Sequence, residues 1–141
     1  MTTLSTAISG PISRRVGYAL SGLFIAFMLM DIVIKLIPLP IVLTTMGDLG
    51  WPPSALVARG LGLLCLVLVV LYSVPQTSVL GAVLLTGYLG GAAATHLRIG
   101  DPLFSHVLFG VYLGLFMWGG LYLREARLRA LFPVTAQRPF Q

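Results

Sequence analysis

Four apolar segments, each long enough to cross a lipid bilayer, limit what this chain can fold into. They run over residues 16–37, 54–73, 78–96 and 103–123. A spanning helix needs about 20 mainly apolar residues, because in lipid the backbone must satisfy its own hydrogen bonds. The segments take up most of the 141 residues. We therefore predict an all-α, integral membrane four-helix bundle spanning residues 16–123, with no separate soluble domain.

The charge distribution indicates how this bundle is oriented. Charged residues make up only 9% of the chain, against about 25% in soluble domains. Four crossings place both termini on one side, and six of the nine basic residues flank that side: Arg14, Arg15, Arg124, Arg127, Arg129 and Arg138. The positive-inside rule makes it cytoplasmic. We expect an inner-membrane protein with a cytoplasmic N-terminal tail (residues 1–15) and a cytoplasmic amphipathic C-terminal tail (residues 124–141), in contact with lipid and not with nucleic acid.

An apolar outer loop joins the first two spans over residues 38–53. It is too short to cross the bilayer, so an interfacial or re-entrant segment is expected there. Pro38 and Pro40 end the first helix, and Trp51 suits the headgroup level. We predict that this loop caps the outer end of the bundle.

Small residues recur at four-residue spacing along the third span, a pattern that lets membrane helices approach closely. One row comprises Ala82, Thr86, Gly90 and Ala94, and a second comprises Gly87, Gly91 and Thr95. The fourth span carries Gly110 and Gly114. We expect one row to pack against this glycine pair within the chain, with homo-oligomer formation through the same motif as the alternative.

Ionisable residues gather at the predicted outer ends of the spans. Asp31 and Lys35 lie four residues apart and so share a helix face. The complete predicted cluster comprises Asp31, Lys35, Arg59, His96, Arg98, Asp101 and His106. Ionisable groups in membrane helices are costly and usually face a partner or a cavity. The cluster therefore predicts either a ligand pocket or a structural ion-pair network, and the sequence leaves both open.

A quinone is one ligand that such a pocket suits. Tyr88 and Tyr112 would stack on its ring, while His96 or Arg98 would donate a hydrogen bond to a carbonyl. We predict no resident cofactor and no metal site, because no metal-binding spacing such as H-E-x-x-H is present. The lone Cys65 cannot form an internal disulfide and is expected to serve in packing.

Two stretches of the chain resemble the DoxX-like family of small membrane proteins. They are TGYLGGAAATHLRIGDPLFSH (residues 86–106) and GVYLGLFMWGGLYLREARLRALFP (residues 110–133). The resemblance implies a four-helix membrane bundle. Members of the family are associated with a thiosulfate:quinone oxidoreductase, with membrane redox complexes or with chaperoning of membrane receptors. It implies no particular reaction, since no catalytic residue can be carried over.

Three functions follow as hypotheses. The leading one is a non-catalytic membrane protein that binds a small amphipathic ligand or a membrane partner at its outward-facing polar cluster. The alternative is an accessory subunit or assembly factor of a membrane redox complex, in which the cluster is purely structural. A small-solute transporter, acting as an oligomer, is third.

Overall fold

The computed structural model describes residues 10–132, which form six α-helices and one π-helical turn. They are α1 (Pro11–Leu36), α2 (Pro40–Asp48), α3 (Ala55–Ser73), α4 (Ser78–Arg98), the π-helical turn (Leu103–Val107), α5 (Phe109–Arg124) and α6 (Ala126–Leu131). Of the described residues, 83% are helical and none lies in a strand. Helices α1, α3 and α4, and the π-helical turn together with α5, are long and apolar enough to cross a membrane. The predicted all-α four-helix fold is confirmed.

The first spanning helix begins earlier than its apolar segment indicates. Pro11 lies in the first turn, where its missing N–H costs no hydrogen bond and its fixed φ suits a helix. Arg14 and Arg15 are therefore helical, whereas the sequence places them in the N-terminal tail. Residues 1–9 and 133–141, which include Arg138, lie outside the described residues.

The outer loop contains a short helix, α2, that packs on the outer part of α3. Val42 and Met46 of α2 are buried in a small apolar cluster with Ala58 of α3. After α2, Gly50 adopts a φ of +75°, which is unfavourable for residues with a side chain. The chain then returns through Pro52 and Pro53 into α3.

The four spanning helices form a closed ring. Helix α1 packs against α3 and α5, and α4 packs against the same two neighbours. Buried side chains from every spanning helix meet at the centre; they include Phe24, Met28, Ile32, Cys65, Leu68, Tyr72, Leu85, Leu89, Met117 and Leu121. Cys65 is fully buried in this core as a free thiol.

A tyrosine joins three of the helices at the arginine-rich end of the bundle. The Tyr72 hydroxyl donates to the Met117 carbonyl at 2.9 Å and also lies 2.9 Å from the Ser21 hydroxyl. The Arg124 guanidinium donates to the Tyr72 carbonyl at 3.1 Å and lies over the Tyr72 ring. These contacts fix the ends of α1, α3 and α5 relative to one another.

Three glycines allow the closest helix approaches at this end. A Cβ on Gly120 would lie 2.8 Å from the Ser21 backbone nitrogen and 3.0 Å from the Gly17 carbonyl oxygen. A Cβ on Gly17 would lie 2.9 Å from the Gly120 carbonyl oxygen. At the turn between α3 and α4, a Cβ on Gly81 would lie 2.3 Å from the Tyr72 nitrogen. Close packing therefore depends on backbone contacts that no larger residue allows.

The glycines in the small-residue rows of α4 do not lie at these close helix approaches. No heavy atom of a neighbouring element lies within 4 Å of a Cβ built on Gly87, Gly90, Gly91 or Gly114. Thr86 and Gly90 line a groove of about 290 Å³ between α4 and α5, together with Gly110 and Gly114. Of the three glycines, only Gly110 comes close to the neighbouring helix: a Cβ built on it would lie 2.9 Å from the Leu89 carbonyl oxygen. Thr86 accepts a hydrogen bond from the Trp118 indole at 2.8 Å, which crosses the groove.

Of the remaining row members, Ala82 is fully buried in the core. Ala94 is exposed. The Thr95 hydroxyl donates to the Gly91 carbonyl of its own helix at 2.9 Å.

Candidate functional site

An ion pair stands at the end of α1 that faces away from the arginine-rich tails. Lys35 donates to the Asp31 carboxylate one turn earlier. The Lys35 ammonium also donates to the Tyr88 hydroxyl of α4 at 3.2 Å and lies 5.7 Å from the centre of the Tyr88 ring. A Cβ on Gly62 would lie 3.0 Å from that of Lys35, so this glycine lets α3 approach the charged turn. Three helices thus position Lys35.

A second polar group lies where α4 ends. The His96 ring bonds the Asp101 carboxylate through Nδ1 at 2.5 Å, and with an ionised carboxylate Nδ1 is the donor. His106, in the π-helical turn, lies with its ring centre 5.7 Å from that of His96. The Ser105 hydroxyl is 2.8 Å from His106 Nδ1. The π-helical turn therefore places His106 beside His96.

A cavity of about 200 Å³ joins the two groups inside the bundle. Its polar lining comprises Asp31, Lys35, Tyr88, His96 and His106. Phe27, Met28, Leu89, Phe109 and Leu113 are among its apolar walls. The structure thus brings together five of the predicted site residues around one space, with Asp101 held behind His96.

Three predicted site residues lie elsewhere. Arg59 is exposed and donates to the Leu36 carbonyl at 3.4 Å. Arg98 donates to the Leu49 carbonyl at 2.7 Å. Tyr112 is 39% exposed on α5 and lines neither the cavity nor the groove described next. Each of these side chains shares the outer half of the molecule without reaching the cavity.

An open groove of about 330 Å³ lies on the other side of Lys35, between α2, α3 and α4. Its polar end is formed by Lys35, Tyr88 and His96, which also line the cavity and so separate the two spaces. The rest of its lining is mainly apolar and includes Met46, Leu49, Trp51, Leu61, Gly87 and Gly91. Because no neighbouring atom comes within 4 Å of a Cβ on Gly87 or Gly91, one wall of the groove is flat backbone.

Arg98 holds the chain between α2 and α3 against the end of α4. Its guanidinium donates to Leu49 and lies so close to Gly50 that a Cβ there would be 2.8 Å from Nη2. Leu49 and Trp51, on either side of Gly50, both line the groove. Arg98 therefore positions one wall of the groove without lining it.

The groove contains residues that sequence reasoning did not select. Trp51, which is expected at the headgroup level, is 42% exposed and lines the groove. Met46 and Leu49 lie within the predicted apolar loop and were not selected as site residues. The periodicity of α2 gives a partial signal, since Val42 and Met46 lie four residues apart on its buried side. The approach of Leu49 and Trp51 to α4 has no such local signal.

One hydrogen-bond donor remains free at the polar end of the groove. An ammonium has three N–H groups, and Lys35 uses two of them on Asp31 and Tyr88. Tyr88 accepts from Lys35, and its own hydroxyl is hydrogen-bonded to the buried Cys65 thiol. A ligand that carries an acceptor oxygen, such as a carbonyl, matches the free N–H of Lys35.

Metal binding finds no support in the described part of the chain. Among residues 10–132 no group of three or more His, Cys, Asp and Glu side chains could hold a metal ion. His96 and His106 supply two rings, and the carboxylate nearest to them already accepts from His96.

Comparison with known proteins gives one match. The sequence model of a family described as the DoxX-like family matches residues 19–120. This stretch covers most of the chain and includes the ion pair, the cavity and the groove. No curated protein and no solved structure matches the chain.

Proposed function

Since this chain belongs to the DoxX-like family of membrane proteins, we propose that it binds a small amphipathic ligand in the groove between α2, α3 and α4. The observation that carries the proposal is the free N–H of the Lys35 ammonium, beside the Tyr88 hydroxyl, at the polar end of an otherwise apolar groove. Ligand sites typically combine an apolar lining with a few placed polar groups. The protein is then a binding protein, and the proposal assigns no catalytic residue.

The ligand class follows from the chemistry of the walls. The carbonyl of a quinone accepts a hydrogen bond from Lys35, and its flat ring lies against the backbone at Gly87 and Gly91. The Trp51 indole supplies an aromatic surface on the α2 side. His96, whose Nδ1 bonds Asp101, presents Nε2 as a third polar atom. A quinone therefore fits the site better than a charged solute, which would lack partners in its apolar part.

The arginines favour an inner-membrane location with both termini in the cytoplasm. Arg14, Arg15, Arg124, Arg127 and Arg129 lie at the end opposite the groove. In the positive-inside arrangement this end is cytoplasmic. The groove then opens at the outer side of the membrane.

Photolabelling with an azido-benzoquinone tests the site. We expect light-dependent attachment to peptides that contain Trp51 or Tyr88. A Gly91→Leu substitution should fill the groove and lower the labelling at least fivefold. The matched control is Gly90→Leu on the same helix, whose side chain enters the groove between α4 and α5 instead. Labelling that Gly91→Leu leaves unchanged, in protein that remains folded, would contradict the proposal.

A role as an accessory subunit is the second candidate, and one observation favours it. The groove between α4 and α5 exposes Gly90 and Gly114, with no heavy atom of a neighbouring element within 4 Å of a Cβ on either. Small residues on a lipid-facing surface suit contact with another membrane helix. Co-purification at a fixed ratio with a membrane redox enzyme, together with absent quinone labelling, would favour this role over ligand binding.

A further inference from the structure

A third groove lies at the arginine-rich end, between α5 and the short helix α6. It has a volume of about 470 Å³ and is lined by Trp118, Gly119, Tyr122, Leu128 and Phe132. Its lining is almost entirely apolar. Trp118 stands six residues before Arg124, about 9 Å along the helix, so the groove extends from the headgroup level into the acyl-chain region of one leaflet.

Helix α6 is fixed over this groove by several contacts. Leu128 is 2% exposed and anchors α6 in the bundle. Arg129 donates through one Nη to the Tyr122 and Leu123 carbonyls at 2.9 and 2.8 Å. The Tyr122 hydroxyl donates to the Phe132 carbonyl at 3.1 Å. The groove is therefore a built feature, with a guanidinium at its edge.

The positive charges at this end of the bundle are uncompensated. Five arginines lie at this end of the described chain, at positions 14, 15, 124, 127 and 129, against the single carboxylate of Glu125. Over residues 10–132, neither of the two ion pairs involves an arginine. Basic residues at a membrane surface attract anionic lipid headgroups. A ligand that complements both features carries a negative headgroup and an apolar chain.

From these observations we propose that the groove between α5 and α6 is a binding site for one anionic phospholipid. An acyl chain lies along Trp118, Gly119 and Tyr122. The phosphate lies against Arg129, which Tyr122 and Leu123 hold at the groove edge. This site is distinct from the quinone groove at the other end of the bundle, and the proposal does not depend on the proposed function.

Quenching of Trp118 fluorescence tests this site. The full chain carrying Trp51→Phe has Trp118 as its only tryptophan. It is reconstituted in phosphatidylcholine vesicles containing a small fraction of either brominated phosphatidylglycerol or brominated phosphatidylcholine. We expect half-maximal quenching at about a fivefold lower mole fraction of the anionic lipid, the effect of about one interfacial arginine.

Arginine variants distinguish binding at a defined site from a general attraction of anionic lipid to the positively charged end of the bundle. Arg129→Gln should abolish the preference for the anionic lipid, and Arg129→Lys should retain it because the charge remains. Arg14→Gln removes the same charge from α1 and should change the preference little. Arg14 is a suitable control because α5 faces α1 through Gly120, whereas Trp118 and Tyr122 of the groove point the opposite way.

Filling the groove provides a test that leaves every arginine in place. Gly119→Leu should reduce quenching by brominated phosphatidylglycerol, because its side chain takes the space of the acyl chain. Gly22→Leu is the matched control, since Gly22 is exposed on α1 with no neighbouring atom within 4 Å of its Cβ.

Three results would overturn the proposal. One is equal quenching by the two brominated lipids in the Trp51→Phe protein. Another is an equal loss of preference on Arg14→Gln and Arg129→Gln, which would indicate a diffuse field. The third is weak quenching by both lipids, which would show that protein, either a second copy or another part of the chain, fills the groove.

Discussion

Replacing Gly120 with alanine should destabilise the bundle by about 3 kcal/mol, the upper end of the cost of overpacking a well-packed core. The added methyl would lie 2.5 Å from the Ser21 hydroxyl, 2.8 Å from the Ser21 nitrogen and 3.0 Å from the Gly17 carbonyl. The last two are backbone atoms, so no rotation of a side chain relieves the clash. Helices α1 and α5 must then move apart, which also strains the hydrogen bond between Ser21 and Tyr72.

Gly22→Ala provides the control for this substitution. Gly22 lies at a similar depth on α1, and no neighbouring atom is within 4 Å of its Cβ. In a helix alanine is favoured over glycine, so Gly22→Ala should leave the thermal melting temperature in detergent unchanged or slightly raised. If Gly120→Ala melted at the temperature of the unmodified protein, the close packing of α1 on α5 would be refuted.

The second large effect is expected at the ion pair of α1. Asp31→Asn keeps the size of the side chain and removes its charge, leaving the Lys35 ammonium without its counter-ion. The two side chains are 25% and 20% exposed. Breaking a buried pair by removing one partner costs about 3–5 kcal/mol, and a charge nearer the membrane interface costs less. We expect a loss of about 2–3 kcal/mol from Asp31→Asn, and a similar loss from Lys35→Met.

The double variant Asp31→Asn/Lys35→Met should recover most of that stability, because it contains no unpaired charge. Unfolding with sodium dodecyl sulfate in mixed micelles gives the free energy of unfolding of each of the three variants. Together with the unmodified protein they form a double-mutant cycle. We expect a coupling free energy of about 4 kcal/mol, since two losses of about 2–3 kcal/mol are replaced by one small loss. Additive losses would show that the two charges do not interact in a lipid-shielded site. If the double variant folded and still bound quinone, the pair would be purely structural.

The sequence predicts the spanning helices well because hydrophobic length alone determines them. Apolar segments ending at Ser73 and beginning at Ser78 correspond closely to the observed α3 and α4. The outer loop is apolar and too short to cross the membrane, which is why a membrane-associated segment was expected where α2 forms. The extension of α1 back to Pro11 was missed, because polar residues 13–15 end the apolar pattern without ending the helix.

Contacts between helices were much harder to predict than the helices themselves. Glycine spacing selected Gly87, Gly90, Gly91, Gly110 and Gly114, and of these only Gly110 approaches the backbone of a neighbouring helix closely. The other close backbone approaches use Gly17, Gly81 and Gly120. A repeat of small residues shows that a helix face is flat, and does not show whether protein, lipid or a ligand covers it. Only the arrangement of all four helices decides which flat face is buried.

The polar cluster was predicted only in part, because the sequence does not show how each helix is rotated about its axis. Hydropathy places Asp31, Lys35, His96 and His106 at the outer level of the bundle, where the cavity is found. Arg59, Arg98 and Tyr112 share that level but point away from the cavity, because rotation about the helix axis is set by packing. The position of Trp51 depends on the path of the chain after α2, which Gly50 and Arg98 determine together.

Binding of a short-chain benzoquinone, followed by Trp51 fluorescence, tests the central claim most directly. Trp118→Phe leaves Trp51 as the only tryptophan, and it lies in the wall of the proposed groove. We predict saturable quenching, and a dissociation constant raised about tenfold by the further changes Asp31→Asn and Lys35→Met together, which remove the Lys35 donor without leaving an unpaired charge. Quenching that does not saturate, or saturates at the same concentration with and without the Lys35 ammonium, would contradict the proposed site.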